Sequence, residues 1–108
     1  MCICPLKKLK AINIPTGVTE IGESAFNGCS VLSDLTLPDG LTAIGQYAFE
    51  YDKKLITLTI PASVVTIEKG AFYYWTKKQT ITIEGKTEKP DTWDKCWVQS
   101  ECTLVWNG

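Results

Sequence analysis

Histidine and arginine are both missing from this chain, so its eleven cationic residues are all lysines. Without histidine there is no Ser-His-Asp or Cys-His nucleophile system and no His-ligated metal site. Without arginine there is no bidentate fork to grip phosphates, carboxylates or guanine edges. A formal net charge of -1 gives no general pull on a polyanion. No apolar run approaches the roughly 18–20 residues that span a bilayer. No signal peptide is read either, because Met1-Cys2-Ile3-Cys4-Pro5-Leu6 precedes Lys7 and Lys8 instead of following a basic segment. The last residues, Val105-Trp106-Asn107-Gly108, fit no lipidation motif. Enzymes, cofactor carriers and nucleic-acid binders are therefore disfavoured, and no cofactor or metal is expected. What is present is ordinary: 44% hydrophobic residues in a chain of 108, enough to bury the core of a single domain.

Self-similarity dominates the remainder. Three rows align at a period of 23 residues without insertion or deletion. The first runs from Leu9 through Ile12, Ile14, Pro15, Val18, Thr19, Ile21, Gly22, Ala25 and Phe26 to Cys29. The second repeats it with Leu32, Leu35, Leu37, Pro38, Leu41, Thr42, Ile44, Gly45, Ala48, Phe49 and Asp52. The third holds Leu55, Leu58, Ile60, Pro61, Val64, Ile67, Ala71, Phe72 and Trp75. A fourth begins at Ile81 and Ile83 and then loses the pattern, since Glu84 stands where proline is due.

Each column has a physical meaning. The first stretch of a row alternates apolar and polar with period 2, which predicts a short strand with one buried face. Proline ends that strand because it cannot donate to a ladder. A second short extended piece follows, with Gly22 and Gly45 expected to permit a sharp turn. The Ala-Phe stretch is expected on a short helical or 3₁₀ turn that inserts its phenylalanine from the opposite wall. Stacked rows give a mainly β repeat protein: a short right-handed solenoid of parallel strands, with Ile14, Leu37, Ile60 and Ile83 as one buried ladder and Phe26, Phe49 and Phe72 as another. The division expected is a solenoid over 1–83, with partial rows at 1–8 and 78–83 and full rows over 9–77, and a cap over 84–108.

The signature I-x-I-P-x-x-V-T-x-I-G-x-x-A-F-x-x-C, met in full in the first row, resembles that of the BspA-like leucine-rich repeat family. The resemblance spans about residues 6–83. It departs at Asp52, where the family usually has cysteine, and at Val65, Glu68 and Trp75. It implies a surface or secreted repeat protein that binds other proteins or mediates adhesion. It transfers no catalytic residue.

In the cap, Trp93, Trp97 and Trp106 are large enough to cover the open end of the last coil, and Thr103–Trp106 is read as a closing strand. The Pro90-x-x-Trp93-x-x-x-Trp97 stretch also looks like an end segment of that family. Tyr73, Tyr74 and Trp75 are expected to face this cap. The sharper alternative is an aromatic platform that stacks sugars. Five cysteines give no C-x-x-C pair. Cys29 is expected as a small buried hydrophobe, and Cys96 and Cys102 could bridge within the cap loop if the protein is exported.

The candidate partner surface is the exposed strand face, whose columns read Asn13, Thr36, Thr59, Thr82 and Ala11, Asp34, Thr57, Thr80. A second surface, Lys8, Lys54 and Lys77 with Lys7 and Lys53, is expected as a basic lateral stripe whose simplest role is solubility. The strand around Leu9–Ile14 is expected to leave an unpaired edge that invites a homodimer. The function read is a non-enzymatic binding or adhesion module with a protein partner. The alternatives are a structural end-piece of a longer surface repeat protein and, far behind, a thiol-redox protein using Cys96 and Cys102.

Overall fold

The computed structural model describes residues 10–29, 31–98 and 101–108. Eight short strands and no helix occur among them: β1 (Ala11–Asn13), β2 (Glu20–Ile21), β3 (Asp34–Thr36), β4 (Ala43–Ile44), β5 (Thr57–Ile60), β6 (Thr66–Ile67), β7 (Thr80–Glu84) and β8 (Thr103–Asn107). All pairings between them are parallel. Odd strands up to β7, then β8, come from the front of successive coils, and β2, β4 and β6 line the back. The register is that of the 23-residue rows, with Ile12 opposite Leu35, Ile21 opposite Ile44, and Ile60 opposite Ile83. The chain is a solenoid, as the alternation and the proline stops require.

The front does not form one continuous ladder. β1 pairs with β3, while β5, β7 and β8 form a separate sheet, and the back strands remain one sheet throughout. Successive coils therefore stay zipped behind and part in front, between β3 and β5.

The Ala-Phe stretch is not helical, contrary to expectation. Its amides alternate between two directions. Ser24, Phe26 and Gly28 donate to Gln46, Ala48 and Glu50 of the next coil, while Ala25, Asn27 and Cys29 donate three residues back within their own coil. Tyr47, Phe49 and Tyr51 repeat the first set onto Lys69, Ala71 and Tyr73. A helix would consume every amide internally and leave no bond between coils. The alternation needs left-handed residues on either side of each phenylalanine. These are Ser24, Tyr47 and Gly70 before it and Gly28, Tyr51 and Tyr74 after it, all with φ between 56° and 70°. Gly22 and Gly45 are not the turn glycines expected, since neither has positive φ. Gly45 serves close packing instead: a Cβ there would lie 2.7 Å from the Glu23 nitrogen.

The interior is a set of stacked columns. Phe26, Phe49 and Phe72 stack face to face, with centroids 5.3 and 5.2 Å apart and planes within 9°. Leu37, Ile60 and Ile83 are buried as one ladder, with Ile14 packed against it. The departures in the third row leave this register intact. Trp75 is fully buried, edge-on to Phe72, and its indole N–H donates to the Phe49 carbonyl at 2.8 Å.

Residues after Glu84 continue the columns with larger side chains. The Asp94 amide donates to the Ile67 carbonyl as Glu68 does to Ile44, which puts Trp93 above Ile21, Ile44 and Ile67. Phe72 donates to Trp97 as Phe49 does to Ala71, so Trp97 tops the alanine column, and Val98 bridges Phe72 itself. Trp106 pairs with Ile83 and tops the front ladder. The three indoles pack together at centroid distances of 4.9, 6.1 and 6.2 Å.

Candidate binding surface

The exposed side of the front strands carries the residues singled out in the sequence. Asp34, Thr36, Thr57 and Thr59 are exposed and Thr80 and Thr82 half-buried. Parallel register lines them up as Asp34, Thr57, Thr80 in one column (Ala11 at its start) and Thr36, Thr59, Thr82 in the other, with Asn13 beginning the latter. The structure extends both columns by one coil, to Thr103 and Val105 of β8. Because side chains alternate along a strand, each threonine is outward only while its leucine or isoleucine neighbour is inward.

The parting between β3 and β5 turns this face from a flat sheet into a cleft. A depression of about 540 Å³ lies there, floored by the two strands and walled by Asp39, Pro61, Ala62 and Glu84. Its polar groups are the Asp34, Asp39 and Glu84 carboxylates and the Ser33, Thr36, Thr57 and Thr59 hydroxyls, with no lysine among them. Such a lining accepts hydrogen bonds and favours donors: peptide N–H groups, amides and ammonium groups. The sequence marks the threonine columns but not the cleft.

The other expected residues lie elsewhere. Trp93 and Trp97 are only 1% and 3% exposed and fill the last coil, while Trp106 is half-buried beside them. Tyr74 faces away from the cap and stacks on Tyr51, with centroids 4.2 Å apart. Cys29 is buried as expected but is also disulfide-bonded, with a partner outside the described residues. Cys96 and Cys102 are both present as thiols, so the expected bridge is not formed. The reason is position: the Cys96 carbonyl holds the Gly70 amide on the turn side, while Cys102 is buried beside the start of β8. Cys2, Cys4, Lys7 and Lys8 fall outside the described residues, as does most of what decides the expected N-terminal dimer edge. No cluster of three or more Cys, Asp or Glu able to hold a metal occurs among the described residues, nor any helix long and apolar enough to cross a membrane.

Two buried polar residues escape a reading by columns. Gln79 donates to the Asp52 and Leu55 carbonyls and accepts from the Thr76 amide. Asp52 is fully buried, and its Oδ1 accepts the Cys29 amide at 2.9 Å while its Oδ2 has no partner. Burial pushes its carboxyl up to about 8, against the opposing pull of that amide.

A parallel-stranded coil with leucine and isoleucine columns is the architecture of a leucine-rich repeat. The chain belongs to the BspA-type leucine-rich repeat family, whose model matches residues 4–94 as six copies. No curated protein and no solved structure matches it.

Proposed function

We propose that the chain is a non-enzymatic binding module that holds a protein partner against the front strand face, with the β3–β5 cleft at its centre. The observation that carries this reading is the parting of the front sheet, which exposes carboxylates, hydroxyls and strand backbone together in one concave place. Proteins of this family are typically surface or secreted and used in protein interaction, and a disulfide at Cys29 favours an oxidising compartment. The partner is accordingly an extracellular protein that presents donors, such as an exposed loop rich in amides and lysines.

The test is a panel of immobilised extracellular-matrix proteins probed with wild type and with Thr36→Lys/Thr59→Lys. The double variant should lose binding while its far-UV circular dichroism stays unchanged, because polar substitutions on an exposed face shift stability by less than about 0.5 kcal/mol. Undiminished binding by the folded variant would place the partner on another surface.

A further inference from the structure

The opposite flank of the solenoid holds a feature that the strand face does not explain. Tyr51 and Tyr74 lie on adjacent coils with 43% and 44% of their surface exposed, and their rings are parallel to within 11°. Both occupy left-handed backbone, at φ 67° and 66°, in a column whose first member is Gly28 at 70°. Glycine sits there without strain, whereas a tyrosine costs backbone energy that its half-exposed ring does little to return. The bulky exposed residue stands where the fold itself asks for none.

Charge is segregated at the same place. Lys53 and Lys54 follow Tyr51, and Lys77 and Lys78 follow Tyr74 on the next coil, all exposed. The Lys53 Nζ lies 5.8 Å from the centre of the Tyr51 ring, within range of a cation–π contact. Of the acidic residues nearest in sequence, Asp52 is buried, and Glu50, whose carboxylate accepts the Asn27 amide at 2.7 Å, is the one negative charge set against these four lysines. A chain of net charge -1 thus carries four exposed lysines in the residues that follow two stacked aromatic rings. One face of Tyr51 has no stacking partner in its column, because Gly28 has no side chain and nothing lies within 4 Å of where a Cβ would stand.

We propose that this edge is a second binding site, for a chain of sulfated or uronic-acid sugars, with a pyranose ring replacing the Lys53 ammonium over the face of Tyr51 turned from Tyr74, and Lys53, Lys54, Lys77 and Lys78 pairing its anionic groups. Flat apolar sugar faces stack on aromatic rings, and sulfates or carboxylates need only point charges, which lysine supplies. Repeat length selects between polymers. Coils recur about every 4.8 Å, close to the advance of one sugar along an extended chain, so successive anionic sugars meet successive lysine pairs. An extended acidic peptide brings side chains to one side only about every 6.8 Å and falls out of step. Nucleic acid would stack as well, and an oligothymidylate probe distinguishes it from a sugar chain.

The experiment is titration of the full chain with a heparin hexasaccharide at low salt, with polyglutamate and oligothymidylate as parallel probes. The hexasaccharide should bind, and affinity should fall about tenfold in Lys54→Gln/Lys77→Gln and again about tenfold in Tyr51→Gly/Tyr74→Gly. The glycine variant should melt close to wild type, since it restores the residue that the left-handed column already holds at Gly28. Tyr51→Phe should keep the affinity, as stacking uses the ring. Absence of hexasaccharide binding, equal or tighter binding of either other polymer, or loss in the lysine variant alone would each overturn the proposal.

Discussion

Asp52 occupies the position that Cys29 holds one coil earlier and Trp75 one coil later, and it is the only carboxylate among the described residues to be fully buried. Its ionisation therefore couples to folding. An unfolded aspartate loses its proton near pH 4, whereas the folded one keeps it to about 8. Between those values the folded state holds a proton that the unfolded chain has released. The stability that Asp52 contributes is thus fullest below about pH 4, declines as pH rises and levels off above about 8. Asp52→Asn retains an acceptor for the Cys29 amide and cannot ionise. Denaturant titrations from pH 5 to 9 should show wild type losing ground to the variant by an amount of order several kcal/mol. Parallel profiles would mean that Asp52 is solvated or paired. The sequence marks position 52 as a departure from its column, but a column says only that a residue faces inward, not what its carboxylate meets there. The same limit hid the left-handed positions: Gly28 is the one glycine in the column of Tyr51 and Tyr74, and the column before the phenylalanine has its glycine only at Gly70.

At the level of elements, the phenylalanine ladder is the part that periodicity describes best. Phe49 has a parallel ring on each side and no exposed surface. Phe49→Ala should cost about 3–5 kcal/mol, as for other large truncations in a packed core. That is a large share of the stability of a domain this size, roughly 5–10 kcal/mol in all, and thermal denaturation should find the variant barely folded near body temperature. A shift of one or two degrees would remove the ladder from the core. Strand positions were equally legible, because alternation and proline fix where each begins and ends. The parting between β3 and β5 was not. Alternation says which side of a strand is buried, while the spacing of one coil from the next depends on how the turns on either side stack, and no single-row pattern records that.

Over the whole molecule, the last coil is the test of the account. Its columns are hidden in the sequence because the interval stretches to 26 residues at Ile67 to Trp93, Ala71 to Trp97 and Phe72 to Val98, then returns to 23 at Ile83 to Trp106. The extra residues fall in the loop between Glu84 and Trp93, where they do not disturb the stack. The tryptophans therefore continue the solenoid, each ring set on one of its columns, and this coil should unfold with the body. Native-state hydrogen exchange, read amide by amide, measures this directly. Thr103 donates to the Gln79 carbonyl at 3.0 Å, and the even spacing of a parallel ladder turns the Val105 and Asn107 amides the same way while the amides of Leu104 and Trp106 point away from β7. The amides of Thr103, Val105 and Asn107 should be protected to the level of β5 and β7, with Leu104 and Trp106 exchanging fast between them. Uniformly fast exchange over residues 90–108, with β5 and β7 still protected, would show that the tryptophan segment is a separate flap and contradict the account.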